Sequence, residues 1–445
     1  MSHPAATSSS PLEAAAKLAG ARGRVLLHSA RDDDGLGGWS FVTAEPAATL
    51  IGRGRSLVEL GPTGSPVRRF SGDPFDAAEA FLAQHGCTLG DSRDDPEPRV
   101  VGFFGYDLAR VVETLPGGPR LGADTPDLWL AAYDGALRWR AGDLAPALVG
   151  PDPSRLAARL ATGRSSLGLA PSFGPLVPDD DGAHHIARVE RVLDYLAAGD
   201  VYQVNLARRH VARIEMPGDP LALYAALADT APAPYGALIE ADGVTVISGS
   251  PERFLSASRS RVETRPIKGT RPRIPGGDVE LAASEKDAAE HLMIVDLERN
   301  DLGRIAETGS VHVDELGYVV ELPALYHKVS RVSAVPRAGV GYAALFRATF
   351  PGGSITGAPK VRAMQLIDEL EPARRGPYCG AVGYFSATGC ELALAIRVGV
   401  IAGSELRVHV GGGIVADSDP SAELAETELK AAGWRAALAK LTAAR

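Results

Sequence analysis

Four carboxylates in the sequence occur as two matched pairs. Asp287 and Glu290 stand three residues apart in SEKDAAEHLMIV, and Glu423 and Glu426 repeat that spacing in DPSAELAET. Residues three apart share one face of a helix, and Mg²⁺ takes one or two protein carboxylates while keeping several waters. Acids near a helix start also favour its dipole and face water, and the spacing alone favours this simpler interpretation. The context favours a magnesium site, because Glu423 follows the run GGGIV, where backbone can approach a ligand closely.

A lysine and a glutamate stand in segments rich in proline and glycine, where loops position functional groups. Lys268 lies in TRPIKGTRPR and Glu252 lies in GSPERF, and they are the candidates for covalent and acid–base chemistry. A lysine attacks only as the neutral amine, which desolvation or neighbouring cations favour. Arg265, Arg271 and Arg273 could supply such cations. A basic surface turn remains the alternative interpretation of the lysine segment.

Two glycine-rich segments could present backbone N–H groups to an anion. The segment FPGGSITGAPKV runs from a loop that contains Thr356 and Gly357 into a helical pattern, which suits a carboxylate or phosphate. It lacks the GK[ST] ending of a nucleotide-binding loop. The glycines Gly411–Gly413 form the second segment. Arg397, in the apolar run ALAIRVGV, would be costly to bury without an anion, although the pattern is equally consistent with an arginine on a solvated sheet face.

Local signals predict the elements that must position these residues. A capping-box pattern at Ser284 predicts the start of one helix, and Asp419 before a proline predicts the start of another. A helical pattern also covers residues 185–198. Apolar runs such as YGALIEA, GVTVISGS and ELALAIRVGVI predict strands, with a hairpin at residues 403–404. The mixture predicts an α+β protein built on extended, largely antiparallel sheets.

Composition gives the organisation of the chain and excludes some classes of function. The 445 residues divide into a flexible tail over 1–20, an N-terminal region over 21–165, a connector over 166–183 and a catalytic region over 184–445. A net charge of -9 disfavours a nucleic-acid partner. Three cysteines without CxxC spacing fit a reducing cytoplasm. Because no apolar run reaches the roughly 18 residues of a span, the chain is not expected to enter a membrane.

Together the motifs resemble the chorismate-utilising enzymes, which include anthranilate, aminodeoxychorismate, isochorismate and salicylate synthases. The resemblance is ordered over about residues 200–430 and weaker in the N-terminal half, at LLHSARDDDGLGGWSFVTAEP and VVGFFGYDLARVVE. It implies a sandwich-like α+β core of two sheets with helices outside. The motifs that carry it are DVYQVNLARR, GSPERF, TRPIKGTRPR, AEHLMIVDLERNDLGR, HKVSRV, FPGGSITGAPKVRAM, GPYCGAVGYF, AIRVGVI and GGGIVADSDPSAELAET.

The resemblance also implies roles for individual residues. Glu290 and Glu426 would bind Mg²⁺ directly, while Asp287 and Glu423 would act through water. Asp287 departs from the glutamate that is common at its position. The pocket for the substrate's carboxylates would be formed by Thr356, Gly357, Lys360, His327, Tyr384, Arg397, Gly411, Gly412 and Gly413.

Two positions in the resemblance indicate the reaction. Gln203 stands where the isochorismate and salicylate synthases carry a water-activating lysine, and Lys268 stands where anthranilate synthases carry alanine. PIKGT resembles the para-aminating enzymes. The resemblance then implies that Lys268 attacks C2 of chorismate as the C4 hydroxyl leaves, with Glu252 as general acid and base, and that ammonia attacks C4. The product would be 4-amino-4-deoxychorismate, a precursor of para-aminobenzoate and folate.

The resemblance further implies a partner, a glutamine amidotransferase subunit that supplies the ammonia. Two alternatives remain open, namely anthranilate formation and a non-catalytic subunit that binds chorismate or tryptophan. The N-terminal region of this family can hold a tryptophan pocket. His28 stands in LLHS where the regulatory motif of anthranilate synthases reads LLES, so the sequence supports no prediction of feedback inhibition.

Overall fold

A computed structural model describes residues 9–33, 35–91, 95–117, 124–322 and 325–443 of the chain. Short 3₁₀ turns occupy Tyr106–Leu108 and Gly353–Ile355. The α-helices are α1 Pro11–Lys17, α2 Pro74–Gln84, α3 Ala109–Val112, α4 Ser154–Thr162, α5 Gly182–Ala197, α6 Pro220–Thr230, α7 Gly277–Ala283, α8 Glu285–Gly303, α9 Tyr342–Thr349, α10 Lys360–Leu370 and α11 Pro420–Ala443.

The strands alternate with these helices along the chain. They are β1 Val25–His28, β2 Asp32–Asp33, β3 Leu36–Gly37, β4 Trp39–Thr43, β5 Ala48–Arg53, β6 Ser56–Leu60, β7 Pro66–Ser71, β8 Val100–Phe104, β9 Leu128–Ala132, β10 Ala136–Arg140, β11 Ala147–Val149, β12 Ser172–Phe173, β13 Val177–Pro178, β14 Gln203–Met216, β15 Tyr235–Ala241, β16 Val244–Ser250, β17 Arg253–Ala257, β18 Val262–Arg265, β19 Ile267–Pro272, β20 His312–Glu321, β21 Leu325–Ala334, β22 Gly357–Ala358, β23 Ala381–Ser386, β24 Gly389–Leu394, β25 Val398–Ala402 and β26 Glu405–Ile414.

Two large antiparallel sheets form the core, which confirms the predicted α+β class. In the first sheet the strand order is β11-β10-β4-β1-β15-β16-β25-β26-β14-β12, with β13 and β22 also paired to β14. In the second sheet the order is β19-β21-β18-β17-β24-β23-β8-β9-β5-β6-β7, with β20 paired to β21. Both sheets combine strands from the two ends of the chain, since β1 pairs with β15 and β8 pairs with β23. The regions 21–165 and 184–445 are therefore interleaved in one core.

The two sheets face each other across an apolar layer. Alternation along β1 illustrates the packing, because Val25 and Leu27 belong to the layer between the sheets while Leu26 belongs to the outer cluster with α6 and α11. Trp129 lies in the inner layer and is fully buried. The second sheet is covered on its other face by α2 and α9, where Phe75 and Phe346 stack at 5.8 Å. The sandwich predicted from the resemblance is confirmed.

The first residues of the described chain do not form a flexible tail. Residues 11–17 form α1, which begins with a reciprocal capping box between Ser10 and Glu13. Its alanines, Ala14–Ala16, are buried against the first sheet. The prediction of a tail over residues 1–20 is therefore wrong for this helix, because small side chains on one face allow close packing. Residues 1–8 lie outside the described residues. Within the described ranges, no helix is long and apolar enough to cross a membrane.

The chain passes from one sheet to the other at two neighbouring places. Residues 251–252 connect β16 of the first sheet to β17 of the second, and residues 395–397 connect β24 back to β25. Because β16 pairs with β25 and β17 pairs with β24, the two crossings lie side by side. A backbone hydrogen bond from Leu394 to Glu252 at 3.0 Å ties them together. The sequence pattern predicted one strand over ELALAIRVGVI, whereas the structure divides it between the two sheets.

Candidate functional site

The two helices that carry the paired carboxylates begin where the sequence predicts. The side chain of Ser284 accepts a hydrogen bond from the backbone of Asp287 at the start of α8. Asp419 accepts one from the backbone N–H of Ala422, 2.8 Å away, at the start of α11. Both predicted caps are confirmed. The caps fix the rotation of each helix and thereby the direction in which its acids project.

The acids of both helices converge on two consecutive glycines of β26. A Cβ atom on Gly412 would lie 3.2 Å from Glu423 Oε2 and 3.4 Å from Glu426 Oε1. A Cβ atom on Gly413 would lie 3.4 Å from Glu290 Oε1. Each missing side chain therefore leaves room for a carboxylate, from α11 beside Gly412 and from α8 beside Gly413. Three of the four paired carboxylates therefore lie beside neighbouring glycines of one strand.

Lys268 reaches the same place from β19. Its Nζ lies 3.1 Å from Glu290 Oε1, and both side chains are mostly buried, with 13% and 21% of their surface exposed. Gln203, at the start of β14, donates a hydrogen bond to that same oxygen at 2.5 Å. Lys268 and Gln203, which are far apart in the sequence, therefore both contact one carboxylate oxygen of Glu290. The alternative of a solvated basic turn does not describe Lys268.

The remaining acids of the two pairs each have a different partner. Asp287 pairs with Arg271 at 2.8 Å, and the hydroxyl of Ser418 donates to Glu423 at 2.6 Å. Burial is the largest influence on Glu423 and raises its pKa. Glu426 pairs with a lysine one turn later on α11, Lys430, at 2.6 Å. Asp287 therefore lies beside Arg271 of strand β19.

The donor set fits a hard cation that needs few protein ligands. In the described part of the chain, no group of three or more His, Cys, Asp or Glu side chains is close enough to form a metal cage. Mg²⁺ characteristically uses one or two carboxylates and completes its shell with water and substrate oxygens. Glu290 and Glu426 would supply those carboxylates. In the structure their charges are balanced instead by Lys268 and Lys430.

Glu252 lies at the first sheet crossing and is buried beside Lys268. The hydroxyl of Ser354 donates to its Oε1 at 2.6 Å. Burial raises the pKa of Glu252 to about 7, although the Ser354 hydrogen bond, the charge of Lys268 and the backbone N–H of Ile267 each oppose that rise. A carboxyl group with such a pKa can be protonated near neutrality and can give or take a proton.

Arg397 lies at the second crossing, next to Glu252 in the fold. Its backbone has a φ of 52°, in the left-handed region, which turns the chain between the sheets. The side chain is exposed, yet the surrounding protein lowers its pKa by desolvation. No acidic side chain of the described residues pairs with it. The guanidinium is thus accessible to solvent near His327, and this accessible region is called the cleft below. An arginine in such a position can bind an anionic ligand.

His327 on β21 faces the same cleft as a neutral imidazole. Its Nδ1 lies 2.9 Å from the hydroxyl of Thr270, and its Nε2 has no hydrogen-bond partner among the described residues. Burial, and to a smaller extent the charge of Arg397, lowers the pKa of His327 to about 4. The predicted proximity of His327 and Arg397 is therefore present.

The glycine loop, residues 350–357, follows β14 closely. A Cβ atom on Gly357 would overlap the carbonyl oxygen of Gln203, and β22 pairs with the start of β14. The hydroxyl of Thr356 donates to the carbonyl of Gly352 at 3.0 Å, so it faces the loop's own backbone. Gly411 is similarly close to β14, because its Cβ atom would lie 2.5 Å from the carbonyl oxygen of Leu206. Glycine is required where these backbones meet.

Two residues predicted to line the substrate pocket lie elsewhere. The ammonium of Lys360 pairs with the buried carboxylate of Asp301 and with the carbonyl of Pro351 at 2.8 Å. Tyr384 contacts the ring of Phe41 at 4.8 Å and lines a cavity of about 40 Å³ between the sheets, together with His28. The positions of Lys360 and Tyr384 do not support their predicted roles, because Lys360 is held by Asp301 and Tyr384 lines the cavity between the sheets.

The structure adds side chains that the sequence reasoning did not select. One is Ser354, whose hydroxyl contacts Glu252. Glu298 accepts a hydrogen bond from the backbone of Gly353 at 2.9 Å. The sequence could have predicted that Glu298 faces the site, because it lies on the same face of α8 as the predicted acids. At roughly 100° per residue, four acids fall within about 80° around the helix axis, namely Asp287, Glu290, Glu298 and Asp301.

Comparisons with known proteins identify the family of the chain. Residues 32–435 match the family described as chorismate binding enzyme. The chain belongs to this family. Within it, the chain is 40% identical over 421 residues to aminodeoxychorismate synthase component 1 of Klebsiella aerogenes, covering 91% of both chains.

Other family members that resemble the chain carry a different name. It is 36% identical to anthranilate synthase component 1 of Pseudomonas aeruginosa, over 94% of this chain and 90% of that one. The fold matches that of anthranilate synthase component I from Streptococcus pneumoniae with a TM-score of 0.76 and 28% identity, over 89% of this chain and 92% of that one. Since the identities are close, the residues of the site must distinguish the reactions.

Proposed function

We propose that this chain is the chorismate-aminating component of an aminodeoxychorismate synthase, which converts chorismate and ammonia to 4-amino-4-deoxychorismate. The observation that carries the proposal is the position of Lys268, with Nζ 3.1 Å from Glu290 and beside the buried carboxyl of Glu252. The relatives from Klebsiella aerogenes and Escherichia coli, at 40% and 37% identity, bear this name and support it.

In the proposed mechanism Lys268 is the nucleophile. Its neutral amine attacks C2 of chorismate, the two conjugated ring double bonds shift, and the C4–oxygen bond breaks. Glu252 protonates the departing hydroxyl, so that water leaves. Ammonia then forms a bond to C4, both double bonds shift back, and the bond from C2 to Lys268 breaks. The new ammonium group on C4 gives a proton to Glu252, which restores its carboxyl group. Two successive displacements return the new substituent to C4, and the enzyme regains its lysine.

The other residues of the cleft would hold the substrate. The guanidinium of Arg397 suits a carboxylate in bidentate geometry, and the backbone of Gly411–Gly413 and of the glycine loop can approach the ligand closely. Mg²⁺, held by Glu290 and Glu426, would supply positive charge at the ring carboxylate. His327 would contribute a neutral imidazole nitrogen.

The source of ammonia would be a separate glutamine amidotransferase subunit. The relatives are named component 1, which supports a second component. We place the protein in the cytoplasm, because its three cysteines are buried free thiols that suit a reducing compartment. The product would lead to para-aminobenzoate and folate.

The deciding experiment is identification of the product by mass spectrometry. The purified chain would be incubated with chorismate, Mg²⁺ and an ammonium salt. We expect 4-amino-4-deoxychorismate from the wild type and a loss of at least about a hundredfold for Lys268→Ala. Lys440→Ala, a surface lysine paired with Asp229, is the matched control and should retain activity.

Three outcomes would contradict the proposal in different ways. Anthranilate with release of pyruvate would identify an ortho-aminating enzyme, as the name of the Pseudomonas aeruginosa relative suggests. Full para product from Lys268→Ala would remove the nucleophile assignment. Failure to consume chorismate with ammonium would support a non-catalytic binding subunit.

A further inference from the structure

The position of the Ser354 hydroxyl depends on the conformation of the glycine loop, and residues outside the cleft stabilise that loop. Ser354 donates to Glu252 Oε1 at 2.6 Å. It lies in the 3₁₀ turn Gly353–Ile355, within the glycine loop. A displacement of this turn would move the hydrogen bond that orients the proposed acid.

Glu298, on α8, contacts the backbone of the turn Gly353–Ile355. It lies on α8 two turns beyond Glu290 and is buried, with 4% of its surface exposed. Its Oε1 accepts a hydrogen bond from the backbone N–H of Gly353 at 2.9 Å. A Cβ atom on Gly353 would lie 2.9 Å from that oxygen and 2.8 Å from the side chain of Leu297, so a larger residue here would have to displace one of these side chains.

Two further contacts fix the ends of the same loop. At its start, the ammonium of Lys360 contacts Asp301 and reaches the carbonyl oxygens of Thr349 at 3.3 Å and Pro351 at 2.8 Å. At its end, the side-chain amide of Asn205 donates to the carbonyl of Ser354 at 3.3 Å. Glu298 supplies the contact between these two anchors.

We propose that Glu298 is a positioning residue, which sets the Gly353–Ser354 turn and thereby the orientation of Glu252. The inference rests on the proposed acid–base role of Glu252. The hydrogen bond needs an acceptor oxygen at Gly353 and does not need a negative charge. Glu298 has a pKa raised to about 7 by burial and by the neighbouring Asp301, which agrees with a role as a hydrogen-bond acceptor.

The test compares two substitutions that differ in the acceptor. Glu298→Gln keeps an oxygen for the N–H of Gly353, and we expect its kcat to stay within about threefold of the wild type. Glu298→Leu removes the oxygen, and we expect kcat to fall about tenfold to a hundredfold with little change in KM, since misplacement by about 1 Å can cost that much. Glu298→Met, which keeps the side-chain length, serves if the leucine variant unfolds.

A double-mutant cycle separates positioning from general stability. If Glu298 acts through Ser354, Glu298→Leu should add no further loss of kcat in a Ser354→Ala background. Asp296→Leu is the matched control, because Asp296 is an exposed carboxylate on the same helix, paired with Arg299. Its kcat should equal that of the wild type.

The outcomes that overturn the inference are separate from those that overturn the proposed function. A wild-type kcat for Glu298→Leu, an equal loss for Glu298→Gln, or additive losses in the cycle would reject the positioning role. A Glu252→Gln variant that retains the para product would instead reject the acid role of Glu252, whatever the result at Glu298.

Discussion

Lys268 Nζ lies 3.1 Å from Glu290 Oε1, and the amide of Gln203 reaches that same oxygen. The proposed nucleophile therefore contacts an oxygen of a proposed metal ligand, and Gln203 contacts the same oxygen. A substitution at any of the three residues would change the contacts of the other two. The site is a compact unit, and its tests must separate chemistry, metal binding and substrate binding.

The first prediction concerns the pH dependence of turnover. Burial raises the pKa of Glu252 to about 7 from an ordinary value of 4.5, so the carboxyl keeps its proton to higher pH than an exposed glutamate. We expect kcat to fall as pH rises above about 7, approaching tenfold per pH unit, because the protonated acid is the form that assists departure of the hydroxyl. Initial rates in a buffer series would show this. A profile that Glu252→Gln leaves unchanged in shape would contradict it.

The same carboxyl should affect the stability of the protein. Between pH 4.5 and 7 the unfolded chain releases the proton of Glu252 while the folded chain retains it, so stability falls as pH rises through that window. The penalty reaches about 3 kcal/mol above pH 7. We expect urea unfolding to show a gain for Glu252→Gln at pH 8 that is absent at pH 4. Equal differences at both pH values would argue against a raised pKa.

A third prediction uses the glycines under the acids. A Cβ atom on Gly413 would overlap the side-chain amide of Gln203, so Gly413→Ala should displace Gln203 from Glu290. We expect a loss of activity of about tenfold or more with only a small change in Tm, because a flexible side chain can move. Gly433→Ala in α11 is the matched control, since nothing lies within 4 Å of its Cβ position. It should stabilise the helix by about 0.5–1 kcal/mol and leave turnover intact.

Arg397 gives a fourth prediction. Its guanidinium faces the cleft, and no acidic side chain of the described chain pairs with it. Arg397→Ala should raise the KM for chorismate about a hundredfold, and Arg397→Lys should restore little, because lysine lacks the planar fork that matches a carboxylate. Arg155→Lys, on the surface beside Glu45, should behave like the wild type. An unchanged KM for Arg397→Ala would place the carboxylate elsewhere.

The fifth prediction concerns the metal. Glu290→Gln and Glu426→Gln should each weaken Mg²⁺ binding at least about tenfold, because each removes a charged oxygen ligand. Isothermal titration measures this without substrate. Glu285→Gln, an exposed acid at the start of α8, is the control and should bind normally. Chelation with EDTA should abolish turnover. Normal Mg²⁺ binding by both variants would show that the ion lies at another place.

Several features were determined by the sequence itself. The caps at Ser284 and Asp419 set where two helices begin, and the spacing of the paired carboxylates sets which face they occupy. These are local properties, because a cap and a helical repeat involve residues fewer than five positions apart. The antiparallel α+β class followed from apolar runs and turns for the same reason. The ordered motifs further indicated the family.

Other features were decided only by the tertiary structure. Glu252 and Arg397 are 145 positions apart in the sequence, and they become neighbours because the chain crosses between the sheets at two adjoining strand ends. Lys360 pairs with the buried carboxylate of Asp301, and Tyr384 lines the cavity between the sheets. Such placements depend on strand register and on which face of a strand or helix is covered. A shift of one residue reverses the face of a strand, so the sequence could name these residues but could not place them.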